Sequence, residues 1–234
     1  MTPEKPQFKI LIIGLGGLGS PAASLLAMLP FAHFGLMDPD IVEPSNLHRQ
    51  ILYDDSDIGK PKAETAARKL QAKNPNLKIE VIPEAFPNRD WEDLIARYDL
   101  VIDGLDRLEK KYALNDACVK AGKPFVHAGV VRFGGQILAV RPGVTACLRC
   151  VLPEIPPPDV LPTCQMAGIL GPVAQWAGYW QAKEAQRLLS GSNELFLWTF
   201  DSLKRETRAV KPSRHAHCPA CGKAKPDIDS CVIH

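Results

Sequence analysis

Short apolar runs alternate with segments of helical spacing through the first 130 residues. The run Phe8–Ile13 leads into a glycine-rich stretch, and the apolar positions after it repeat with the period of a helix. Strands are predicted at Phe8–Ile13, Phe34–Met37, Lys78–Ile82, Leu100–Ile102 and Pro124–Ala128, and helices at Ser20–Leu29, Lys62–Lys73, Trp91–Arg97 and Glu109–Ala121. This alternation is typical of a mainly parallel sheet that helices cover on both faces.

The pattern changes after this alternation. The segment Val130–Val140, which contains Gly134 and Gly135, predicts a hairpin at the sheet edge. Five prolines within Leu152–Cys164 favour a long crossover loop. A buried helix is predicted over Pro172–Leu189 and a strand over Glu194–Asp201. We therefore predict an α/β fold, a Rossmann-like doubly wound sheet that is mainly parallel and has added antiparallel edge strands.

Length and charge limit the domain organisation and the class of partner. A chain of 234 residues with 46% hydrophobic content can form one substantial core, so we expect a single domain over residues 1–234. Lys and Arg total 28 and Asp and Glu total 26, which gives a net charge of +2 and no broad basic surface for nucleic acid. No secretion signal and no run of roughly 20 apolar residues is evident, so we expect a cytoplasmic protein without membrane contact.

Four of the seven cysteines form two close pairs, Cys147 with Cys150 and Cys218 with Cys221. Two intervening residues allow both thiolates of a pair to reach one ion, and structural zinc takes four tetrahedral ligands. The alternatives are ordinary buried cysteines or two separate redox dithiols. A redox motif should follow a strand and begin a helix, and neither pair is predicted to do so. We predict that the four thiolates bind one structural zinc ion and staple a small lobe to the sheet.

A glycine-rich turn joins the first strand to the first helix, in the order Gly14-Leu-Gly16-Gly17-Leu-Gly19. Glycines allow a tight turn and close approach of a phosphate, and the helix start presents free N–H groups to an anion. Asp38 ends the second strand about 20 residues later, where a carboxylate can bind a ribose hydroxyl. Asp40 is the rival candidate, and a loop-capping role for Asp38 is the structural alternative. The order of these features predicts a nucleotide-binding core over residues 8–140.

The polar segment after Asp38 separates two classes of nucleotide enzyme. It contains Asn46, Arg49 and Gln50, and Lys62 follows at the start of the next helix. A nicotinamide enzyme has no evident use for several cations near the phosphates. A nucleotidyl-transfer enzyme uses them to offset the charge of a triphosphate and of the departing pyrophosphate. The alternatives are that Arg49 is an exposed loop cation and that Lys62 only begins a solvated helix.

These segments resemble the MoeB/ThiF family, the adenylyltransferases that activate ubiquitin-like sulfur-carrier proteins and that are related to ubiquitin-activating enzymes. The similarity runs from about Lys9 to Gly222. The resemblance implies that Asp38 binds the ATP ribose and that Gly17 lies nearest the phosphates. The nucleotide-binding residues that it implies are Gly14, Gly16, Gly17, Gly19, Asp38, Asn46, Arg49, Gln50, Lys62 and Asp106. The catalytic residues that it implies are Arg49, Lys62, Asp106 and Cys164.

The resemblance also assigns the metals. The paired cysteines match the family's structural zinc ligands, and Asp106 matches its magnesium-associated aspartate, with Asp103 as the local competitor. The family usually has Asn after that aspartate and Arg five residues beyond it, where this chain has Arg107 and Lys111. We therefore expect ATP, Mg²⁺ and a structural Zn²⁺ to bind, with the crossover loop, helix and zinc lobe over residues 141–222 and a flexible tail over residues 223–234.

Cys164 lies in a segment that resembles the one carrying the conjugating or sulfur-transfer cysteine of these enzymes. It is predicted to receive the acyl group. The alternative is that Cys164 has no chemical role, because related molybdenum-cofactor enzymes can pass the adenylate directly to another sulfur donor.

The activity that the resemblance implies is ATP-dependent adenylation of the carboxy-terminal glycine of a ubiquitin-like sulfur carrier ending in Gly-Gly, for thiamine or molybdopterin synthesis. It also implies a homodimer and a sulfurtransferase or cysteine desulfurase as a further partner. Family members commonly begin with a helix whose arginine reaches the ATP of the other subunit, whereas the sheet here is predicted to begin near Lys9. We expect Arg107, Arg132 or a partner chain to supply that cation, or adenylation to be weak.

Two other functions fit the same motifs. One is adenylation of a different acceptor, such as a small carboxylate, a peptide or a modified tRNA base. The other is a non-catalytic subunit that binds a ubiquitin-like protein and completes a partner's active site.

Overall fold

The computed structural model describes residues 8–29, 32–87, 91–155 and 168–222. Cys164 and residues 223–234, for which the sequence predicts an acyl acceptor and a flexible tail, lie outside these ranges. Within them, no helix combines the length and the apolar character that a membrane span requires.

One sheet organises the described part of the chain, and its strands follow the order β3-β2-β1-β4-β5-β6-β7-β8. The strands are β1 Phe8–Ile13, β2 Ala32–Met37, β3 Lys78–Ile82, β4 Leu100–Asp103, β5 Phe125–Val131, β6 Gly134–Val140, β7 Leu197–Asp201 and β8 Glu206–Val210. The helices are α1 Gly19–Leu26, α2 Lys62–Lys73, α3 Trp91–Ala96, α4 Leu108–Lys120, α5 Leu148–Val151 and α6 Gly171–Leu189. Strands β1 to β5 pair in parallel and β6 to β8 are antiparallel, which confirms the predicted fold class.

The apolar core lies on both faces of the sheet because successive side chains of a strand point to opposite sides. Ile10 and Ile12 of β1 pack in one cluster with α1, α2 and α6, and Leu11 and Ile13 pack in the other with α3, α4 and α5. The four paired cysteines belong to this second cluster. The four cysteines therefore share the core of the sheet.

Three details differ from the sequence-based expectations. The turn of the predicted Val130–Val140 hairpin lies at Arg132 and Phe133, since Val131 pairs with Gly134. The two glycines are thus in β6, which lies inside the sheet because β7 and β8 continue it. Strand β8 was not predicted because all five of its residues are exposed and it has no apolar period. The first cysteine pair does begin a helix, because Cys147 is the N-cap of α5.

The carboxyl ends of β1 and β4 meet where the strand order reverses, which is the usual ligand site of a doubly wound sheet. Gly14 has φ of +87°, and a Cβ there would lie 2.6 Å from the Gly104 carbonyl oxygen. A Cβ on Gly19 would overlap the Gly14 carbonyl oxygen. The turn after β1, the start of α1 and the end of β4 are therefore in backbone contact.

We predict that Gly19→Ala destabilises the protein by about 3 kcal/mol, because its methyl group has no space and must displace backbone. Gly16→Ala is the matched control, since a Cβ there meets only the Gln50 Nε2 atom at 3.5 Å. Urea denaturation of both variants measures the difference. Equal unfolding free energies for the two variants would contradict the close packing of this turn.

Glu184 of α6 is completely buried, and its Oε1 accepts a hydrogen bond from Trp198 Nε1 at 3.2 Å. Burial raises the pKa of Glu184 above its ordinary value, and Arg187, at 3.7 Å, opposes the shift. A raised carboxyl pKa stabilises the fold at low pH, and this stability is lost as pH rises through the folded-state pKa. Ionised Glu184 thus destabilises the protein near neutral pH.

We predict that Glu184→Gln, which keeps an acceptor for Trp198, raises the thermal midpoint at pH 7 and that the gain disappears below about pH 4. Melting curves across this pH range measure the effect, with the exposed Glu109→Gln as a matched control. If the variant raised the thermal midpoint equally at pH 4 and at pH 7, burial of the Glu184 charge would not be the cause of the increase.

Candidate nucleotide and metal sites

The glycine-rich turn contacts the side chain of Asp38. The Asp38 carboxylate is 5% exposed, and it accepts hydrogen bonds from Leu15 N–H at 2.6 Å and from Asp40 N–H at 2.9 Å. Burial raises the pKa of Asp38, whereas the Leu15 hydrogen bond and the Lys62 charge lower it. No acceptor for the N–H groups of Gly16 and Gly17 is present in the described ranges. The turn therefore offers free donors beside a buried carboxylate.

Arg49 and Gln50 cover the outer side of this turn. Carbon atoms of the Arg49 side chain would lie 3.6 Å from a Cβ on Gly17. The Arg49 guanidinium donates to the Ser45 carbonyl at 2.9 Å, and the described residues provide no carboxylate partner for it. Gln175 Nε2 of α6 donates to the Arg49 carbonyl at 2.8 Å and fixes this backbone. The guanidinium charge is available to an anion at the turn.

Two buried amide side chains near Arg49 have free oxygen atoms. Asn46 is 6% exposed and Gln50 is 3% exposed, yet Asn46 Oδ1 and Gln50 Oε1 accept no hydrogen bond from the residues that the structure describes. A buried polar atom without a partner is costly, and a bound ligand is one common reason for it. Both atoms fit a site that polar groups of a nucleotide complete.

Lys62 approaches the turn from the start of α2. Its ammonium donates to Asp40 Oδ2 at 3.1 Å, and its side chain is 7% exposed, whereas that of Asp40 is 67% exposed. Tyr53, which the sequence analysis missed, donates from its hydroxyl to the Leu15 carbonyl at 3.1 Å. Burial raises the pKa of Tyr53, so the hydroxyl stays protonated and keeps this bond. Tyr53 thus fixes the backbone of the glycine-rich turn at Leu15, and Lys62 fixes Asp40 beside it.

The two aspartates after β4 differ in their surroundings. Asp103 is 1% exposed and is bound by Lys111 and His127, so both of its oxygens are occupied. Asp106 is exposed, and no described residue binds its carboxylate. Only Asp106 of this pair has a carboxylate free to bind a cation, and the Gly104 contacts connect its loop to the glycine-rich turn.

The four paired cysteines converge on one point. Their Sγ atoms all lie within 4.8 Å of one another, and the Cys147–Cys218 and Cys150–Cys221 distances are 3.6 and 3.3 Å. Tetrahedral zinc with Zn–S bonds of about 2.3 Å separates its sulfurs by about 3.8 Å. These distances fit a four-thiolate zinc site and are far longer than the S–S bond of about 2.05 Å in a disulfide.

Polar contacts position the two cysteine turns. Asn115 Oδ1 of α4 accepts a hydrogen bond from Leu148 N–H at 2.8 Å. Arg149 forms a bidentate ion pair with Asp116, with a shortest N–O distance of 2.7 Å. Arg214 donates to the Cys221 carbonyl at 2.7 Å. The first cysteine turn is therefore fixed to α4, and the second is fixed within the segment that follows β8.

The structure brings together most residues of the predicted nucleotide site. Asp38, Arg49, Gln50 and Lys62 surround the glycine-rich turn, and Asp106 lies in the loop that packs against it through Gly104. Tyr53, Gln175 and His127 were missed. No motif in the sequence indicates any of the three, and His127 comes to lie beside Asp103 only through the parallel pairing of β4 and β5.

Comparison with known proteins shows where this architecture recurs. The model of the ThiF family matches residues 6–220. The sulfur carrier protein adenylyltransferase of Thermus thermophilus is 35% identical over 91% of this chain and 82% of its own length. The sulfur carrier protein ThiS adenylyltransferase of Escherichia coli is 37% identical over 94% of this chain and 88% of its own length. The crystal structure of E. coli MccB has a TM-score of 0.81 and 22% identity, and it covers 93% of this chain and 66% of that one.

Proposed function

The chain belongs to the ThiF family of adenylyltransferases, and from this premise we propose that it adenylates the carboxy-terminal glycine of a ubiquitin-like sulfur carrier. The observation that carries the proposal is the grouping of Asp38, Arg49 and Lys62 around a glycine-rich turn with free N–H groups. A carboxylate for the ribose and two cations for the phosphates suit ATP better than a nicotinamide dinucleotide.

In the proposed reaction, a carboxylate oxygen of the carrier attacks the α-phosphorus of ATP. The bond from this phosphorus to the β-phosphate oxygen breaks, and pyrophosphate leaves. Arg49 and Lys62 stabilise the negative charge that grows on the phosphate oxygens, and the N–H groups of Gly16 and Gly17 add fixed dipoles. Asp38 orients the ribose, and Asn46 and Gln50 use their free amide oxygens to bind the nucleotide.

The magnesium ligand of this proposal is Asp106, because its carboxylate is exposed and free whereas that of Asp103 is occupied. Magnesium supplies charge neutralisation on the phosphates when it is bound. Arg107 and Arg132 are both exposed near the carboxyl ends of β4 and β5, so each stays a candidate for the cation that other family members supply across the dimer.

We further propose a homodimer. The exposed apolar side chains of Ile51, Trp176 and Tyr179 adjoin the nucleotide site through Gln175, and Trp176 stacks on Tyr179 with ring centroids 5.9 Å apart. A second copy that covers them would place the two nucleotide sites near the interface. Light scattering should then give a mass of twice 25.6 kDa, and Trp176→Glu should give monomers.

A cysteine acceptor and a sulfur donor complete the proposed reaction. We propose that the Cys164 thiolate attacks the carbonyl carbon of the adenylate, so that a thioester forms, the acyl–oxygen bond breaks and AMP leaves. A sulfurtransferase or cysteine desulfurase is proposed to supply sulfur for thiamine or molybdopterin synthesis. ATP–pyrophosphate exchange with radiolabelled pyrophosphate tests the first step. Exchange that depends on a recombinant carrier ending in Gly-Gly supports the proposal. Exchange that appears only with a small carboxylate, a peptide or tRNA would replace the carrier, and binding of ATP without any exchange would favour a non-catalytic subunit.

A further inference from the structure

A fully buried network of charged groups lies beneath the loop that carries Asp106. Lys111 of α4 donates to both Asp103 oxygens at 3.1 Å and to the Ala128 carbonyl at 2.6 Å. His127 of β5 donates from Nδ1 to Asp103 Oδ2 at 2.7 Å. Asp103, Lys111 and His127 are 1%, 6% and 2% exposed. The Lys111 ammonium thus uses all three of its N–H donors, and its positive charge offsets the negative charge of Asp103.

The network joins three elements at the carboxyl edge of the sheet. Besides Lys111 and His127, the Leu105 N–H donates to Asp103 Oδ1 at 3.0 Å and so fixes the first turn of the loop after β4. Gln181 Nε2 of α6 donates to the Asp103 carbonyl at 2.8 Å. The Gly104 N–H donates to the Ile13 carbonyl at 2.8 Å. The backbone leading to Asp106 is therefore held from β1, α4, β5 and α6.

The charge states of the network follow from its surroundings. Burial alone would raise the pKa of Asp103, but the Lys111 charge and the His127 hydrogen bond hold it below its ordinary value. Burial lowers the pKa of His127, so the imidazole is neutral near pH 7 and its Nδ1–H serves the carboxylate. The network therefore combines an ionised Asp103, a charged Lys111 and a neutral His127.

A buried ion pair contributes little net stability compared with apolar groups of the same volume, because both charges lose their hydration. It does fix the orientation of the Asp103 carboxylate, because Lys111, His127 and the Leu105 N–H donate four hydrogen bonds to it. The Asp106 carboxylate is exposed and makes no hydrogen bond or ion pair with the described residues, so its position depends on the backbone that this network fixes.

We propose that Lys111 and His127 are positioning residues that hold Asp103 so that the Gly104–Arg107 loop presents Asp106 to the magnesium ion of the nucleotide. This inference rests on the proposed adenylation. Lys111 and His127 do not contact the magnesium ion in this proposal. They affect its binding through Asp103 and the loop that carries Asp106.

The test measures the magnesium dependence of ATP–pyrophosphate exchange. Lys111→Met leaves the Asp103 charge unpaired, Asp103→Asn with Lys111→Met removes both charges, and Lys111→Arg keeps the cation. His127→Leu removes the imidazole donor. Lys120→Met is the matched control, because Lys120 lies on the same helix and forms only an exposed ion pair with Glu92. Thermal melts of each variant give its stability.

Loss of outer groups that orient a metal ligand typically costs roughly 10-fold to 100-fold in metal affinity. We expect Lys111→Met, His127→Leu and the double variant to raise the half-saturating magnesium concentration about tenfold, with Lys111→Arg and Lys120→Met near the wild type. The double variant is decisive because it contains no unpaired buried charge. We expect it to be more stable than Lys111→Met but still to lack the bonds that fix the loop. A double variant with wild-type stability and wild-type magnesium dependence overturns the inference.

Absence of exchange in the wild-type protein would instead refute the proposed function. In that case hydrogen–deuterium exchange at residues 104–107 still tests the network. Faster exchange in the double variant than in Lys111→Arg supports the positioning role, and equal rates overturn it.

Discussion

Replacing Arg49 with alanine should reduce ATP–pyrophosphate exchange by about 10²-fold to 10³-fold, which is typical for the loss of one preorganised group that stabilises developing charge. The Arg49 guanidinium is fixed by the Ser45 carbonyl and packs beside Gly17, yet no described carboxylate neutralises it. Its charge is therefore available for the phosphates. Initial rates of ATP–pyrophosphate exchange at saturating magnesium measure the loss of activity.

The fold should be unaffected by this change, because the guanidinium makes only exposed contacts. Arg97→Ala is the matched control, since Arg97 lies just before the amino end of β4 and forms an exposed ion pair with Glu80 at 2.7 Å. We expect Arg97→Ala to exchange at the wild-type rate. If both arginine variants exchange at the wild-type rate, Arg49 has no part in the mechanism.

Loss of one cysteine ligand should destabilise the protein strongly. Cys218→Ser removes a thiolate from a cluster that closes 71 residues of chain between Cys147 and Cys218, and a structural zinc site contributes folding free energy directly. A loss of about 3 kcal/mol would lower the melting midpoint by roughly 10 °C for a chain of this size. Zinc content, measured by atomic emission on the purified protein, should fall with it.

Cys118→Ala separates ligand loss from loss of a buried thiol. Cys118 is fully buried in α4 but lies outside the four-cysteine cluster, so this variant should keep its zinc and lose only about 1 kcal/mol. Chelation of the wild-type protein should reproduce the Cys218→Ser melting curve. A Cys218→Ser protein with full zinc content and an unchanged midpoint would contradict the four-thiolate site.

Local signals in the sequence predicted most of the fold. The central strands β1 and β4 were apparent because both of their faces are buried, which gives apolar runs such as Ile10–Ile13. Strand β8 gave no such signal, since it lies at the sheet edge with both faces exposed. The cysteine pairs were predictable because each pair needs only a short spacing to reach one metal ion.

Contacts between distant elements were the part that the sequence could not provide. Gln175 fixes the backbone of Arg49 across 126 positions of sequence, and no motif indicates such a bond. Lys111 was noticed only as a departure from the family's usual arginine, and its bond to Asp103 depends on how α4 packs on β4. The roles of Asp38, Arg49, Lys62 and Asp106 stay predictions that the geometry supports.

The most direct test of the central claim is intact mass spectrometry of the acceptor. The protein is incubated with ATP, magnesium, pyrophosphatase and a recombinant ubiquitin-like carrier ending in Gly-Gly, and the same carrier without its last glycine is the control. We predict that the carrier gains the mass of one AMP, or that of the enzyme once Cys164 has taken the acyl group as a thioester, and that the truncated carrier gains neither. Turnover of ATP with AMP transferred to a small carboxylate, a peptide or tRNA, and never to a Gly-Gly carrier, would contradict the account.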